Sequence, residues 1–323
     1  MQAIIVKTFG GEENLKLETN VPIPAPGKNE VLIKVMSVGV NPVDTYIRSG
    51  TFSSLPSLPY TPGDDVAGIV EDVGAEVTSF KKGDRVYTVR TTTGAYAQYA
   101  IAQVQFVNHL PDKLSYAQGA AIGIPYYTAS KALHLRSGFK PGETVLIHGA
   151  SGAVGIAAIQ ISKKLGLRVV GTAGTKDGMD LVKKTGADFV FNHRDQGYVN
   201  AIKDALGGGV DIILEMLANV NLQTDLELLN VRGRVLVIGC RGNVEINPRT
   251  TMGRESSIIG ILLLISTNAE FEEMHGLLGK GLQEGWLVPE VYKTYPLADA
   301  ATAHHDIINN TKTMGKLVLD TAN

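Results

Sequence analysis

Residues 143–175, ETVLIHGASGAVGIAAIQISKKLGLRVVGTAGT, constrain this chain more than any other stretch. They read as an apolar strand, a glycine-rich turn, a helix of small residues and a second apolar strand that closes without a carboxylate. Thr144, Val145, Leu146 and Ile147 suit a buried parallel strand, and Gly149, Gly152 and Gly155 follow at three-residue spacing. Glycine permits a tight turn and lets backbone approach a diphosphate, whose charge the free amides of a helix N-terminus then hold. The same glycines also suit close packing of helix on sheet, and Ala150 and Ser151 interrupt the commoner G-x-G-x-x-G spacing.

The segments that follow favour the nucleotide reading. Arg168 to Gly174, Asp188 to Asn192, Asp211 to Leu217, Gly233 to Gly239 and Ser256 to Leu264 each read as a strand, mostly spaced for crossover helices. That pattern predicts an α/β fold, a Rossmann doubly wound parallel sheet with its ligand at the carboxyl ends of the strands. Enzymes that select the unphosphorylated cofactor usually place Asp or Glu about twenty residues beyond the glycine turn. Here the strand ends on Gly171, Thr172, Ala173, Gly174 and Thr175, followed by Lys176. A glycine floor with nearby cations admits a 2′-phosphate that a carboxylate would repel. The third strand lies beside the second in this fold, so His193 and Arg194 should stand next to Gly174. His193, Arg194 and Lys176 are the candidates for a 2′-phosphate pocket, which points to NADPH. Arg194 and Lys176 also fit ordinary solvated charges, and Asp177 leaves a route to NADH through a small loop rearrangement.

Composition bounds the rest. With 323 residues, 44% hydrophobic content and 36 glycines, the chain can bury a large core and is expected to form two domains. A formal net charge of -2 removes any global electrostatic case for nucleic acid or membrane surfaces, though a local basic groove stays open. One cysteine forms no internal disulfide, and the longest apolar run, Ile258 to Ile265, falls short of the roughly twenty residues that span a bilayer. A cytoplasmic protein is expected.

Residues 1–123 alternate short β-prone runs with turn residues and read as a mostly β domain, with a helical stretch leading out of it. Residues 124–264 form the nucleotide domain. Beyond about residue 265 the sheet pattern stops, helices are expected over Glu270 to Leu282 and Ala298 to Ile308, and a terminal strand KLVLD follows. Residues 265–323 are therefore expected to return to the first domain.

Several long segments carry a resemblance: VGVNPVDTYIRSGTF, LPYTPGDDVAGIVEDVG, FKKGDRV, QGAAIGIPYYTA, HGASGAVG, GTAGT, FNHR, EMLANVNL and EINPRTTM with ESSIIG. In these the chain is similar to the zeta-crystallin branch of the medium-chain dehydrogenase/reductase superfamily. The resemblance runs over nearly the whole length and implies a GroES-like catalytic domain, split in sequence around the nucleotide domain. It implies reduction of quinones by NADPH, with conjugated alkenals or enones as the alternative acceptors. It matches Ser151, Gly152, Ala153 and Val154 to the diphosphate turn, beside Gly155, and Gly174 and His193 to the adenosine phosphate side. Asn221, then Ile238, Gly239, Cys240 and Arg241, then Ile261, Leu262 and Leu263, within the sixth strand, complete the implied cofactor set. Asn221 also suits a helix cap.

The resemblance places Asn41 and Tyr46 at the substrate and nicotinamide site. Asn41 offers a neutral amide to orient a carbonyl, and Tyr46 a hydroxyl to the cofactor ribose or a reduced oxygen. Asn-Pro also starts turns, tyrosine often packs with its hydroxyl at the surface, and Asp44 and Arg48 are expected to pair with each other.

No zinc is expected. Where zinc relatives read G-H-E this chain reads Gly63, Asp64 and Asp65; Cys240 is its one cysteine, and no H-E-x-x-H occurs among seven histidines. Adjacent His304 and His305 should point to different sides of a helix. Without a Lewis acid, unactivated carbonyls are poor acceptors, whereas a quinone spreads the added electrons over a ring and two oxygens. The expected site is a dry interdomain cleft that holds nicotinamide against the acceptor. The apolar run ESSIIGILLLIS would leave a sheet edge to pair, which favours a homodimer or homotetramer. A lens crystallin or RNA-binding role, known in the branch resembled, leaves no mark in the sequence; any RNA binding would use the nucleotide cleft and be salt-sensitive.

Overall fold

The computed structural model describes residues 1–309, 312 and 314–321. The chain opens with an antiparallel pair, β1 (Ala3–Ile5) and β2 (Lys16–Glu18). It continues through β3 (Glu30–Val40), α1 (Pro42–Ser49), β4 (Asp65–Val73), β5 (Arg85–Thr88), β6 (Tyr99–Gln103), β7 (Val107–His109), α2 (Tyr116–Ala120) and α3 (Gly123–Ser130). Next come β8 (Thr144–Ile147), α4 (Ala153–Lys164), β9 (Arg168–Ala173), α5 (Lys176–Thr185), β10 (Phe189–Asn192), α6 (Tyr198–Leu206) and β11 (Val210–Glu215). The chain then runs α7 (Ala218–Leu228), β12 (Leu229–Val237), α8 (Pro248–Met252), β13 (Ser257–Gly260), α9 (Asn268–Glu284), β14 (Val291–Pro296), α10 (Ala300–Asn309) and β15 (Lys316–Asp320).

Two compact units result. The first joins Met1–Ile124 to Val288–Asn323, and the second is continuous, Pro125–Leu287. In the second, six parallel strands lie in the order β10-β9-β8-β11-β12-β13, so the third strand borders the second and the order reverses between β8 and β11. Thr144, Val145, Leu146 and Ile147 are all buried, as a strand covered on both faces requires. Ile156, Ile159 and Ile161 are buried on different sides of α4, each burial worth about 2 kcal/mol.

The sixth strand is shorter than its apolar run. It ends at Gly260, and Leu263–Ile265 is a 3-10 turn, so Ile261, Leu262 and Leu263 lie beyond the strand. The return to the first unit also comes later than residue 265. Helix α9, started by a Thr267/Glu270 capping box, stays with the second unit because it packs on the π-helical segment Lys131–Arg136. The Tyr127 hydroxyl meets His275 Nδ1 at 2.5 Å, and Lys131 Nζ lies 3.6 Å from Glu270.

In the first unit, seven strands form one mixed sheet in the order β14-β15-β3-β4-β5-β7, with β6 also paired to β3. The late strand β15 runs antiparallel along Ser37 to Val40 of β3. Its alternation is offset by one charged residue: Lys316 is as buried as Leu317, Val318 and Leu319.

Candidate functional site

The glycines of the turn have separate tasks. Gly149 takes φ +56°, the left-handed conformation that the turn needs. Gly152 caps α4 with extended backbone and no side-chain bond, so the first amides of the helix, on Ala153, Val154 and Gly155, receive no capping side chain. A Cβ on Gly155 would sit 2.5 Å from Ala150 Cα, so this third glycine serves close packing. Ser151 stands beside the turn of α5, where its Oγ would lie 3.3 Å from a Cβ on Gly178. The result is a cradle of aimed amides suited to a diphosphate.

The adenosine side is built on Gly174. A Cβ there would meet Arg194 Nε and His193 Nε2, each at 2.8 Å. Parallel pairing of β10 with β9 brings them there, and the His193 amide donates to Ala173 O at 3.2 Å. Burial lowers the His193 pKa, and the Arg194 and His148 charges add to the effect. Lys176 does not join this group: its Nζ pairs with Asp180 at 2.6 Å along the exposed face of α5. A helical i,i+4 partner is nearer than the pocket. Asp177 is exposed in the first turn of α5, after the cap in which the Thr175 hydroxyl accepts from Gly178 N–H.

At the far end of the parallel sheet, strand ends interlock. Gly239 N–H donates to Glu215 O, and Ala218 N–H to Gly239 O. A Cβ on Gly239 would fall 2.3 Å from Met216 O, so the segments stay in close contact. Ile238 N–H donates to Glu215 O, Arg241 N–H to Asn219 Oδ1, and exposed Cys240 turns its thiol to Gly242 O. Asn221 sits inside α7 instead of capping it, and its Nδ2 donates to Glu215, 3.2 Å from each oxygen. Ile261 N–H continues the β12 ladder through Val237 O, while Leu262 is half exposed and Leu263 buried. Lys131, buried, donates to Leu262 O at 3.1 Å and Ser266 Oγ at 2.8 Å and so holds this segment.

Sequence reasoning passed over Lys131 and the buried group His148, Glu215 and Asp225. The ligand-type atoms of those three all lie within 4.8 Å of one another. His148 Nε2 is hydrogen-bonded to Asp225 Oδ1 at 2.8 Å and lies 3.6 Å from Glu215 Oε2. Burial raises Glu215 and Asp225 each to about 7 and lowers His148. His148 and Glu215, at the carboxyl ends of β8 and β11, were the available signal, whereas Lys131 and Asp225 lie inside helical segments.

In the first unit, Asn41 faces inward. Its Nδ2 donates to Asp65 Oδ2 at 2.9 Å, its Oδ1 accepts from Lys316 Nζ, and Lys316 Nζ also reaches Asp65 Oδ2 at 3.0 Å. All three side chains are buried. The expectation that the Asn41 amide orients a carbonyl is therefore corrected: an ion pair has taken both ends of it. Gly39 makes the room, since a Cβ there would fall 2.7 Å from Lys316 Cε. Ile124 N–H completes Asp65 at 2.6 Å.

Asp44 and Arg48 do not pair. Asp44 accepts from Asn41 N–H at 2.8 Å and from the Tyr96 hydroxyl at 3.2 Å, and Tyr96 Oη lies 3.0 Å from His304 Nε2. Burial lifts Asp44 to about 7 and drops His304 to about 3. Arg48 lies 3.7 Å from Glu12. His304 is buried while His305 is exposed. Tyr46 is partly exposed on α1, and its carbonyl receives Thr51 N–H and the Ser49 hydroxyl.

Comparison with known proteins adds the chemistry that geometry leaves open. Residues 27–112 match the family model for the alcohol dehydrogenase GroES-like domain, and residues 153–280 that for zinc-binding dehydrogenase. The quinone oxidoreductase of Sus scrofa is 56% identical over 320 residues, covering 99% of this chain and 97% of the relative. That of Homo sapiens is 53% identical with the same coverage. Among solved structures, Escherichia coli quinone oxidoreductase complexed with NADPH matches with a TM-score of 0.89 at 30% identity, over 99% of this chain and 100% of the other.

Proposed function

The chain belongs to the quinone oxidoreductases of the medium-chain dehydrogenase/reductase superfamily, and on that footing we propose how its residues serve NADPH-dependent reduction of quinones. The observation that carries the cofactor reading is Gly174, bare of side chain, with Arg194 and His193 both against it. A glycine there leaves space for a 2′-phosphate, and the guanidinium supplies its counter-charge.

When bound, NADPH supplies reducing equivalents from C4 of its nicotinamide ring to the quinone. The amides at the start of α4 hold the diphosphate, and Ser151 lies beside them. Asn221 and the segments Ile238 to Arg241 and Ile261 to Leu263 hold the nicotinamide half. Tyr46 presents its hydroxyl to the ribose or to the reduced oxygen. Asn41 acts at one remove, anchoring the start of α1 through Asp65 and Lys316.

The donor set is unsuited to a catalytic zinc. Asn41 is bound at both ends, the Asp64 carboxylate accepts Thr91 N–H at 3.2 Å, and the one thiol is on exposed Cys240. Chelators should leave turnover unchanged. Strand β13 ends the parallel sheet with Ser257 and Ile258 exposed, which supports a homodimer or homotetramer joined there.

The test is turnover of ortho-quinones, para-quinones and alkenals side by side, each with NADPH and NADH. Quinone reduction preferring NADPH is expected. Activity confined to alkenals, or a clear preference for NADH, would overturn the reading.

A further inference from the structure

His148 leaves β8 and Glu215 ends β11, the neighbouring strands on either side of the reversal in strand order. Asp225 reaches both from α7. Each of the three is buried, and their contacts point in two directions. His148 directly precedes Gly149, the left-handed residue that opens the diphosphate turn. Its amide donates to Leu214 O, which ties the turn to β11. On the other side Glu215 accepts the Leu217 amide and gathers the Asn221 amide on both carboxylate oxygens.

Two carboxyls and an imidazole buried within reach of one another share protons. A consistent arrangement has Nε2–H of neutral His148 donating to Asp225, with the Glu215 carboxyl protonated against the same anion. Asp225 Oδ2 has no partner among the described residues, so the assembly is under-satisfied and sensitive to its geometry.

We propose that His148, Asp225 and Glu215 form a positioning assembly that holds the diphosphate turn and Asn221 in register across the switch point of the sheet, and so sets the affinity for the common part of the dinucleotide. The inference rests on the reading of that turn and of Asn221 as cofactor contacts. It assigns the three residues no contact with substrate. Its bonds run to the diphosphate turn and to Asn221, so it acts on cofactors with and without the 2′-phosphate.

The test uses the full chain with Asp225→Asn, which keeps volume and removes the charge, together with His148→Gln, Asn221→Ala and the double variant Asp225→Asn/Asn221→Ala. Kd for NADPH and for NADH is measured by calorimetry, with Tm recorded. Asp225→Asn should raise both constants about tenfold, leave their ratio within about twofold, and have a smaller effect in the Asn221→Ala background, where only its hold on the turn remains. His148→Gln should act in the same direction, and it decides the matter if Asp225→Asn fails to fold. A lower Tm with unchanged Kd in both variants, or effects that simply add in the double variant, would make the assembly a structural core feature and overturn the inference. Unchanged binding by Asn221→Ala would instead overturn the cofactor assignment beneath it.

Discussion

The two units arrange their polar residues in opposite ways. In the first, Asn41, Asp44, Asp65, Tyr96, His304 and Lys316 are buried and bonded to one another. In the second, the turn at Gly149 to Gly155 and the floor at Gly174 leave donors around an open cradle, and the buried group stands behind it. The contrast suggests that damage to the first unit should register as lost stability, and damage at the cradle as altered cofactor choice in a folded protein.

Lys316→Met should give the largest effect. It leaves Asp65 buried without its cation, at a cost of about 3–5 kcal/mol seen as a fall in the denaturant midpoint. Adding Asp65→Asn should restore part of that loss, and a loss below about 1 kcal/mol would show that the ion pair does not hold the unit together.

The cradle is probed by Gly174→Asp, whose side chain would enter the space against Arg194 and His193. The ratio of kcat/KM for NADPH over NADH should fall about 100-fold, near 2.7 kcal/mol, with Tm little changed. A large fall in Tm with the ratio intact would erase the distinction between the units.

Asp44→Asn sharpens the comparison through pH. Burial, aided by Asp64 and Asp65 and opposed by the Asn41 amide and Lys316, raises Asp44 from 3.8 to about 7. The folded state thus holds a proton that the unfolded chain releases earlier. Stability from this group is full below pH 3.8 and lost as pH rises through 7. Asparagine cannot ionise, so the variant should gain about 4 kcal/mol relative to the parent as pH rises from about 4 to about 8. Equal slopes in the two stability profiles would show that Asp44 stays ionised.

Lys176→Ala should do least. Its partner is exposed Asp180, so NADPH affinity should change less than about twofold, whereas Arg194→Ala should weaken it severalfold. Equal effects would return Lys176 to the phosphate pocket.

Local pattern made the parallel sheet legible because each of its strands lies near its helix in sequence. The turn and the approach of His193 and Arg194 to Gly174 followed from strand order. Reading failed where distant contacts decided the outcome. Helix α9 has no feature of its own to say that it packs on Lys131–Arg136, so the chain's return was placed too early. Asn41 looked available because Lys316, 275 positions away, gave no sign of being buried beside it. The run Ile258 to Ile265 exceeded its strand because apolar residues continue into a 3-10 turn. Lys176 pairs with its helical neighbour Asp180, a contact that the phosphate reading of the strand end did not weigh.

Strand β15 carries a consequence for synthesis. Ser37 to Val40 of β3 pair with β15 alone on that side, and β15 emerges from the ribosome only after the whole second unit. During translation the nascent first unit therefore waits with an open strand edge and an Asp65 lacking its ammonium partner, while the later, contiguous unit completes its own sheet. A product interrupted before Lys316 keeps that edge open, which makes it a client for chaperones and proteases rather than a shortened enzyme.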